Sequence, residues 1–447
     1  MGMSAGSLRK LSHVPILLIL FICTSCTSSQ PPRELSSSTN SNCAVIFDAG
    51  SSGSRVHVYC FDANMDLVNF GDGYELFQKT SPGLSSYAAD PEKGAESIKP
   101  LLNAALSVVP TNQRAETPVR LGATAGLRLL PGESAANLLK AVSNLLKESS
   151  FKFKSQWVSI LDGSQEGRFS WVSINYLLGK LGQDFGKTVA TVDLGGGSVQ
   201  MSYAISNDAA SNAHKAIKEV DDYITTTSLL GKEYNVYVHS YLGYGLLAGR
   251  AEVLKLTNKS KSSPCVARGF EGTYVYDSVT YKAVGPARGA NFSKCQGLIL
   301  KALDISATCN NSPCTFGGIW SGGGGDGQKS LYVASFFFDR AMEAGIITNP
   351  NATEAKVSPE DFAKLARRVC KLDVERIAKF YPSLDEEDRP YFCLDLTYEY
   401  ALLVEGFGLH KRQVLTLVKQ VTYRNAIVEA QWTLGCAIDV LSSSTTA

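Results

Sequence analysis

The chain has 447 residues, 44% hydrophobic and 19% charged, enough apolar side chains for two or three packed cores. Lys plus Arg total 43 against 42 Asp plus Glu, a net charge of +1, so no basic field marks it as a dedicated nucleic-acid or polybasic membrane-surface binder. Five histidines, no H-E-x-x-H and no two C-x-x-C pairs leave no zinc framework.

The first 26 residues predict targeting. Arg9 and Lys10 precede an apolar run from Val14 to Cys23, and small polar residues follow to Gln30. That is the order of a signal peptide, with an N-terminal signal anchor as the alternative, although the run is short for a span. Residues 27–42 predict a polar linker. No second long apolar run exists, so a soluble body is expected.

The body opens with Cys43-Ala-Val-Ile-Phe-Asp48, a β-branched and aromatic run ending at an acid. A small-residue turn, Ala49 to Ser54, leads into alternating Arg55 to Phe61, which predicts strand, tight loop, strand. Helical apolar spacing covers Glu92–Val108 and Ser134–Leu146. Short strands are expected at Val119–Gly122 and Trp157–Leu161, and a helix at Ser164–Leu178. Val189 to Asp193, Leu194 to Ser198 and Val199 to Tyr203 then repeat the opening design, implying two related halves. A last helix is expected over Asn425–Leu441. Alternating strands and helices predict an α/β fold.

Eleven cysteines suit an exported chain, and neighbours in sequence suggest Cys265–Cys295, Cys309–Cys314 and Cys370–Cys393. Cys43 and Cys60 bracket the first hairpin and would face each other across it, leaving Cys436 as a buried thiol. Sequons at Asn258, Asn291, Asn310 and Asn351 agree with export.

Two strand–Asp–x–Gly loops point to phosphate. Glycines let backbone N–H groups approach an anion, and an Asp at a strand end can hold a hard divalent cation. One such loop is an ordinary hairpin; two, each with its own Asp, suggest jaws on a polyphosphate. Glu166 falls in the first turn of the expected helix, where an acid ordinarily serves the helix dipole. Beside a bound cation it should stay ionised, as a general base must be. Gly322 to Ser330 (GGGGDGQKS) imitates a P-loop, but Gln328 separates Gly327 from Lys329.

Five blocks in order resemble the conserved regions of the apyrases, the ectonucleoside triphosphate diphosphohydrolases. They are Asp48 to Arg55 (DAGSSGSR), Leu121 to Arg128 (LGATAGLR), Asp162 to Gly167 (DGSQEG), Asp193 to Gln200 (DLGGGSVQ), and Tyr391 to Leu402 (YFCLDLTYEYAL) with Trp432 to Gly435 (WTLG). Tyr237 to Leu247 and Gly322 to Arg340 look most like plant apyrases, including the legume lectin-type nucleotide phosphohydrolases. The resemblance implies the two-lobed actin, heat-shock ATPase and sugar-kinase fold, with RNase H-like domains and the site in the interlobe cleft. Lobe I would span 43–162 plus 428–447, and lobe II 163–427.

The resemblance also implies roles. Glu166 would activate water, Gln200 would help position it, and Thr124 would touch the terminal phosphate or that water, with Ala125 lending backbone. Asp48 and Asp193 would hold Mg²⁺ or Ca²⁺ through its water shell. Gly50, Ser51, Ser52, Gly53 and Arg55 of one loop, and Gly195, Gly196, Gly197 and Ser198 of the other, would bind phosphates. Trp432 would floor the site, and Phe338 and Phe407 lie where the family stacks the base. The implied substrates are nucleoside tri- and diphosphates, with no covalent intermediate. An NDP-preferring secretory enzyme and a glycan-binding, lectin-like protein with auxiliary nucleotidase activity are the alternatives. A secreted or secretory-pathway monomer is expected, touching membrane only through an N-terminal anchor.

Overall fold

Each of the two Asp-ended strands sits at the centre of a sheet. The computed structural model describes residues 41–445 apart from Ser51, Gly71, Asp72, Lys218, Glu219, Asp221, Asp222 and Ser278. The expected leader and nearly all of the linker lie outside those residues.

In the first sheet β1 (Asn42–Ala49), β2 (Ser54–Phe61) and β3 (Leu76–Thr80) run antiparallel, and β4 (Val119–Ala123) and β5 (Val158–Ile160) continue it in parallel, in the order β3-β2-β1-β4-β5. The second sheet is built from β6 (Ala190–Leu194), β7 (Ser198–Ile205), β8 (Ile224–Leu229) and β9 (Lys232–Leu242). After a separate hairpin, β10 (Glu271–Tyr276) with β11 (Val279–Val284), the sheet gains β12 (Leu331–Ser335), β13 (Glu354–Val357) and β14 (Leu415–Val418). Its order is β13-β14-β12-β6-β7-β9-β8. The inner five, β9-β7-β6-β12-β14, reproduce the first sheet: three antiparallel strands, then two parallel ones. The repeat read from two loops is therefore a repeat of whole sheets.

Both central strands are buried almost along their length, as strands covered on both faces must be, and their Val, Ile and Phe content reflects this. The helix Pro91–Val108 covers one face of the first sheet. Asp90 caps it by accepting from the Lys93 amide, Pro91 takes a first-turn position, and Ile98, Leu101, Leu102 and Ala105 make the buried stripe. It packs with Leu138, Val142 and Leu146 of the helix Ser134–Lys147. On the other face, the helices Gly163–Leu177 and Trp432–Thr445 pack together, and one apolar cluster there joins Ile46 and Tyr59 of the first sheet to Val236 and Val238 of the second.

The last helix starts later than the apolar pattern suggests. Residues from Asn425 to Ala430 turn back and pair instead, as β16 (Ala426–Glu429) against β15 (Gln420–Tyr423). Ile427 and Val428 are β-branched and alternate between an exposed and a buried position, so a half-buried strand suits them better than a helix. All four expected disulfides are present, Cys43–Cys60 across directly paired positions of β1 and β2, and Cys436 is a buried thiol. Gly322 to Ser330 leads into β12 rather than a P-loop helix. Among the described residues, no helix is long and apolar enough to cross a membrane.

Candidate active site

The two Asp-x-Gly loops close in the same way. The Gly50 amide donates to the Gly53 carbonyl (3.1 Å), and the Gly195 amide donates to the Ser198 carbonyl (3.0 Å). Each turn begins two residues after its aspartate. Both turns border one cleft of about 2030 Å³, lined by Asp48, Gly50, Ser52, Arg55, Thr124, Glu166, Asp193, Gly195, Gly196, Gln200, Phe338 and Trp432 among others.

Of the remaining site candidates, Gly53 and Ser198 close the two turns. Gly197 abuts Ala125: a Cβ built on Gly197 would lie 2.8 Å from the Ala125 Cβ. Ser51 lies outside the described residues. Phe407 is not brought to the cleft. It packs beside the second sheet against Tyr241 and Phe316, with ring centroids 5.6 Å away from each.

Glu166 reaches Gln200 because of the glycines around it. A Cβ on Gly163 would lie 2.3 Å from the Ser240 side chain, and one on Gly167 would lie 2.7 Å from Val238 and from Ser202. Gly163 and Gly167 are four apart, on one face, so the helix start lies directly against β7 and β9. Gln200 Nε2 then donates to Ser198 Oγ (2.7 Å), Ser240 Oγ (2.9 Å) and Glu166 Oε2 (3.4 Å). Arg128 forms an ion pair with the same Glu166 oxygen.

The carboxylates are held differently. Asp48 Oδ2 accepts from Arg55 Nη1 (3.0 Å), and its Oδ1 is buried with no hydrogen-bond partner among the described residues. Asp193 Oδ1 accepts from Ser335 Oγ (2.6 Å) and its Oδ2 from Ser170 Oγ (3.2 Å). Burial pushes the Asp193 carboxyl above its usual range, the two serines counter that, and Asp48 adds to the rise. Burial lifts Glu166 to about 8, against the pull of Arg128 and with the push of Asp193 and Asp48. Burial thus outweighs the single arginine, so Glu166 needs further positive charge beside it to stay ionised at neutral pH.

Among the described residues, no three His, Cys, Asp or Glu side chains gather as a metal cage. Two aspartates, one with an orphaned buried oxygen, instead fit a hard divalent cation that keeps much of its water and takes other oxygens from a phosphate ligand.

Four contributors were not assigned from sequence: Arg128, Ser170, Ser240 and Ser335. Arg128 ends the LGATAGLR block, so its place in a motif was visible. The serines carry no local signal, because each acts on a residue from 23 to 142 positions away.

Residues 34–447 match the family described as GDA1/CD39 (nucleoside phosphatase). The chain is 54% identical over 403 residues to "Probable apyrase 1" of Oryza sativa subsp. japonica, covering 90% of this chain and 82% of the relative. It is 48% identical to the "Apyrase" of Solanum tuberosum, covering 92% and 90%. It is 34% identical to "Ectonucleoside triphosphate diphosphohydrolase 5" of Gallus gallus, covering 97% and 98%. Among solved structures, nucleoside triphosphate hydrolases from Neospora caninum share the fold at TM-score 0.61 and 13% identity, covering 90% and 93%. An Aquifex aeolicus Ppx/GppA protein shares it at TM-score 0.51 and 12% identity, covering 91% and 100%. The repeated five-strand sheets are thus those of the two-lobed, actin-like α/β fold, and the chain belongs to the GDA1/CD39 nucleoside phosphatase family.

Proposed function

We propose that this chain is an apyrase that cuts nucleoside triphosphates to diphosphates and then to monophosphates, releasing phosphate at each step. The observation that carries this reading is the pair of matched Asp-x-Gly turns facing one cleft, with Glu166 and Gln200 between them. Relatives named as apyrases support it.

The chemistry follows from the chain's own groups. The backbone and hydroxyls of Gly50 to Arg55 and Gly195 to Ser198 bind the phosphates, and the Arg55 guanidinium faces them from the first loop. Thr124 and Gln200 orient a water in line with the terminal phosphorus. Glu166 takes one proton from that water, its oxygen bonds to phosphorus, and the anhydride P–O bond breaks toward the departing nucleotide. Glu166 then returns the proton to solvent, and no phosphoenzyme forms. Asp48 and Asp193 would hold Mg²⁺ or Ca²⁺, which neutralises phosphate charge when bound. Trp432 floors the cleft and Phe338 stacks the base. Four disulfides and four exposed sequons support a secreted or secretory-pathway protein, entered through the N-terminal leader or held by it as an anchor. A working monomer is the simplest assembly for a site built within one chain.

Phosphate release from ATP and from ADP, with Mg²⁺, Ca²⁺ or EDTA, tests the reading. Cation-dependent release from both substrates is expected. Release from ADP alone would narrow the function to a diphosphatase. No release with either cation would refute an enzymatic role and favour glycan binding.

A further inference from the structure

Ser335 has backbone angles no ordinary serine should choose. Its φ is 62° and its ψ is −125°, outside even the left-handed helical well that Asn and Asp tolerate. Glycine alone enters that region without strain. Packing does not explain the cost, because Ser335 is exposed at the end of β12, where the chain swings into the helix Phe336–Glu343.

What the conformation does is aim the hydroxyl. In the β6–β12 register Ala334 lies opposite Asp193 and Ser335 opposite Leu194. The sharp turn at Ser335 brings its Oγ back to Asp193 Oδ1 at 2.6 Å. With Ser170 on Oδ2, each carboxylate oxygen then has one neutral donor. The first lobe has no such device. The matching position of β4 is Ala123, opposite Ala49, and Asp48 is held by Arg55 instead.

We propose that Ser335 is a positioning residue for Asp193: its strained turn is retained because it fixes the rotamer of the cation-holding carboxylate. This deepens, and rests on, the reading of Asp193 as a cation-holding group. A glycine would relieve the backbone and lose the hydroxyl. An alanine would lose the hydroxyl and keep the strain.

The test compares Ser335→Gly, Ser335→Ala and wild type by melting temperature and by Mn²⁺ binding in the presence of a non-hydrolysable ATP analogue, followed by electron paramagnetic resonance. At an ordinary strand end glycine is the less stable of the two. Here Ser335→Gly should melt above Ser335→Ala. Both variants should bind Mn²⁺ about ten- to a hundredfold more weakly than wild type, the scale of one hydrogen bond to a charged group. Ser335→Gly melting below Ser335→Ala would show that the strain is absent and overturn the inference. So would unchanged Mn²⁺ affinity in both variants beside a wild type that binds. A wild type that binds no Mn²⁺ with the analogue would overturn the proposed function and this inference together, whatever the melting order.

Discussion

The two lobes start from one design and finish it differently. Asp48 and Asp193 each end the central strand of a like-ordered sheet and precede a turn closed by a Gly amide. Across the hairpin, however, Asp48 faces Arg55 while Asp193 faces Gln200. The first lobe therefore presents a carboxylate already paired with a cation. The second presents one held by hydroxyls, beside an amide that donates to Glu166. The repeated sheet order thus carries two different carboxylate settings, one balanced by a guanidinium and one held by neutral donors.

The largest break in that arrangement is Glu166→Gln. Removing the general base should lower kcat by about 10²–10⁴-fold while nucleotide binding persists. Glutamine is also the neutral shape that burial favours. Glu166 keeps a proton in the fold up to about pH 8, whereas the unfolded chain gives it up near 4.5. Unfolding therefore releases a proton across that window, and stability falls progressively as pH rises through it. The variant should accordingly melt no lower than wild type at pH 8.5, as calorimetry can check. Wild-type turnover in Glu166→Gln would end the assignment.

Asp48→Asn and Asp193→Asn probe the comparison directly. Each should cost about a hundredfold in phosphate release, the scale of one lost preorganised electrostatic contact. Their stabilities should respond differently. Asp48→Asn leaves Arg55 without its counter-charge and should destabilise by about 1 kcal/mol. Asp193→Asn removes a buried charge whose protonation burial already favours, so its melting temperature should hold or rise in cation-free buffer. Equal losses in both would mean that the lobes hold their carboxylates equivalently.

Much of this was readable from residues alone, for a physical reason. Strand, Asp, glycine turn and strand are consecutive in sequence, so both loops and the Cys43–Cys60 bridge followed from local pattern. Glu166 is legible only through the resemblance of its DGSQEG block, since a lone first-turn acid ordinarily serves the helix dipole; the packing of Gly163 and Gly167 against β7 and β9 needs the fold. Arg128, Ser170, Ser240 and Ser335 were assigned nothing, because their partners arrive by tertiary folding. Phe407 is ambiguous for the same reason: its apolar surroundings in sequence suit a core residue equally, and in the fold it packs against Tyr241 and Phe316. Trp432 to Leu441 reads correctly as helix, but Ala426–Glu429 before it needs β15 as a partner before strand can win.

Arg128→Met gives a smaller, pH-dependent effect. Arg128 is the group that pulls Glu166 down against burial. Without it the base ionises at higher pH, so kcat/KM at pH 7 should fall about tenfold, one pH unit of displacement. The deficit should shrink to about twofold at pH 9 and disappear above it, as the base ionises in both proteins. A deficit constant from pH 6 to 9 would instead assign Arg128 to phosphate contact.

The smallest effect separates the lobes where no chemistry is involved. Gly122 pairs with Asp48 in β4, and Ala334 pairs with Asp193 in β12, so the two are equivalent. Gly122 has no room for more: an added Cβ would sit 2.6 Å from the Trp432 ring, which is itself buried. Gly122→Ala must push the tryptophan away, at about 1–3 kcal/mol, and should slow phosphate release a few-fold by tilting the floor. Ala334→Gly meets no such wall and should cost only about 0.5–1 kcal/mol, the ordinary price of glycine in a strand. Chemical denaturation resolves the two. If the costs were equal, the indole would be free to move, and the asymmetry between the lobes would lie only in their charges.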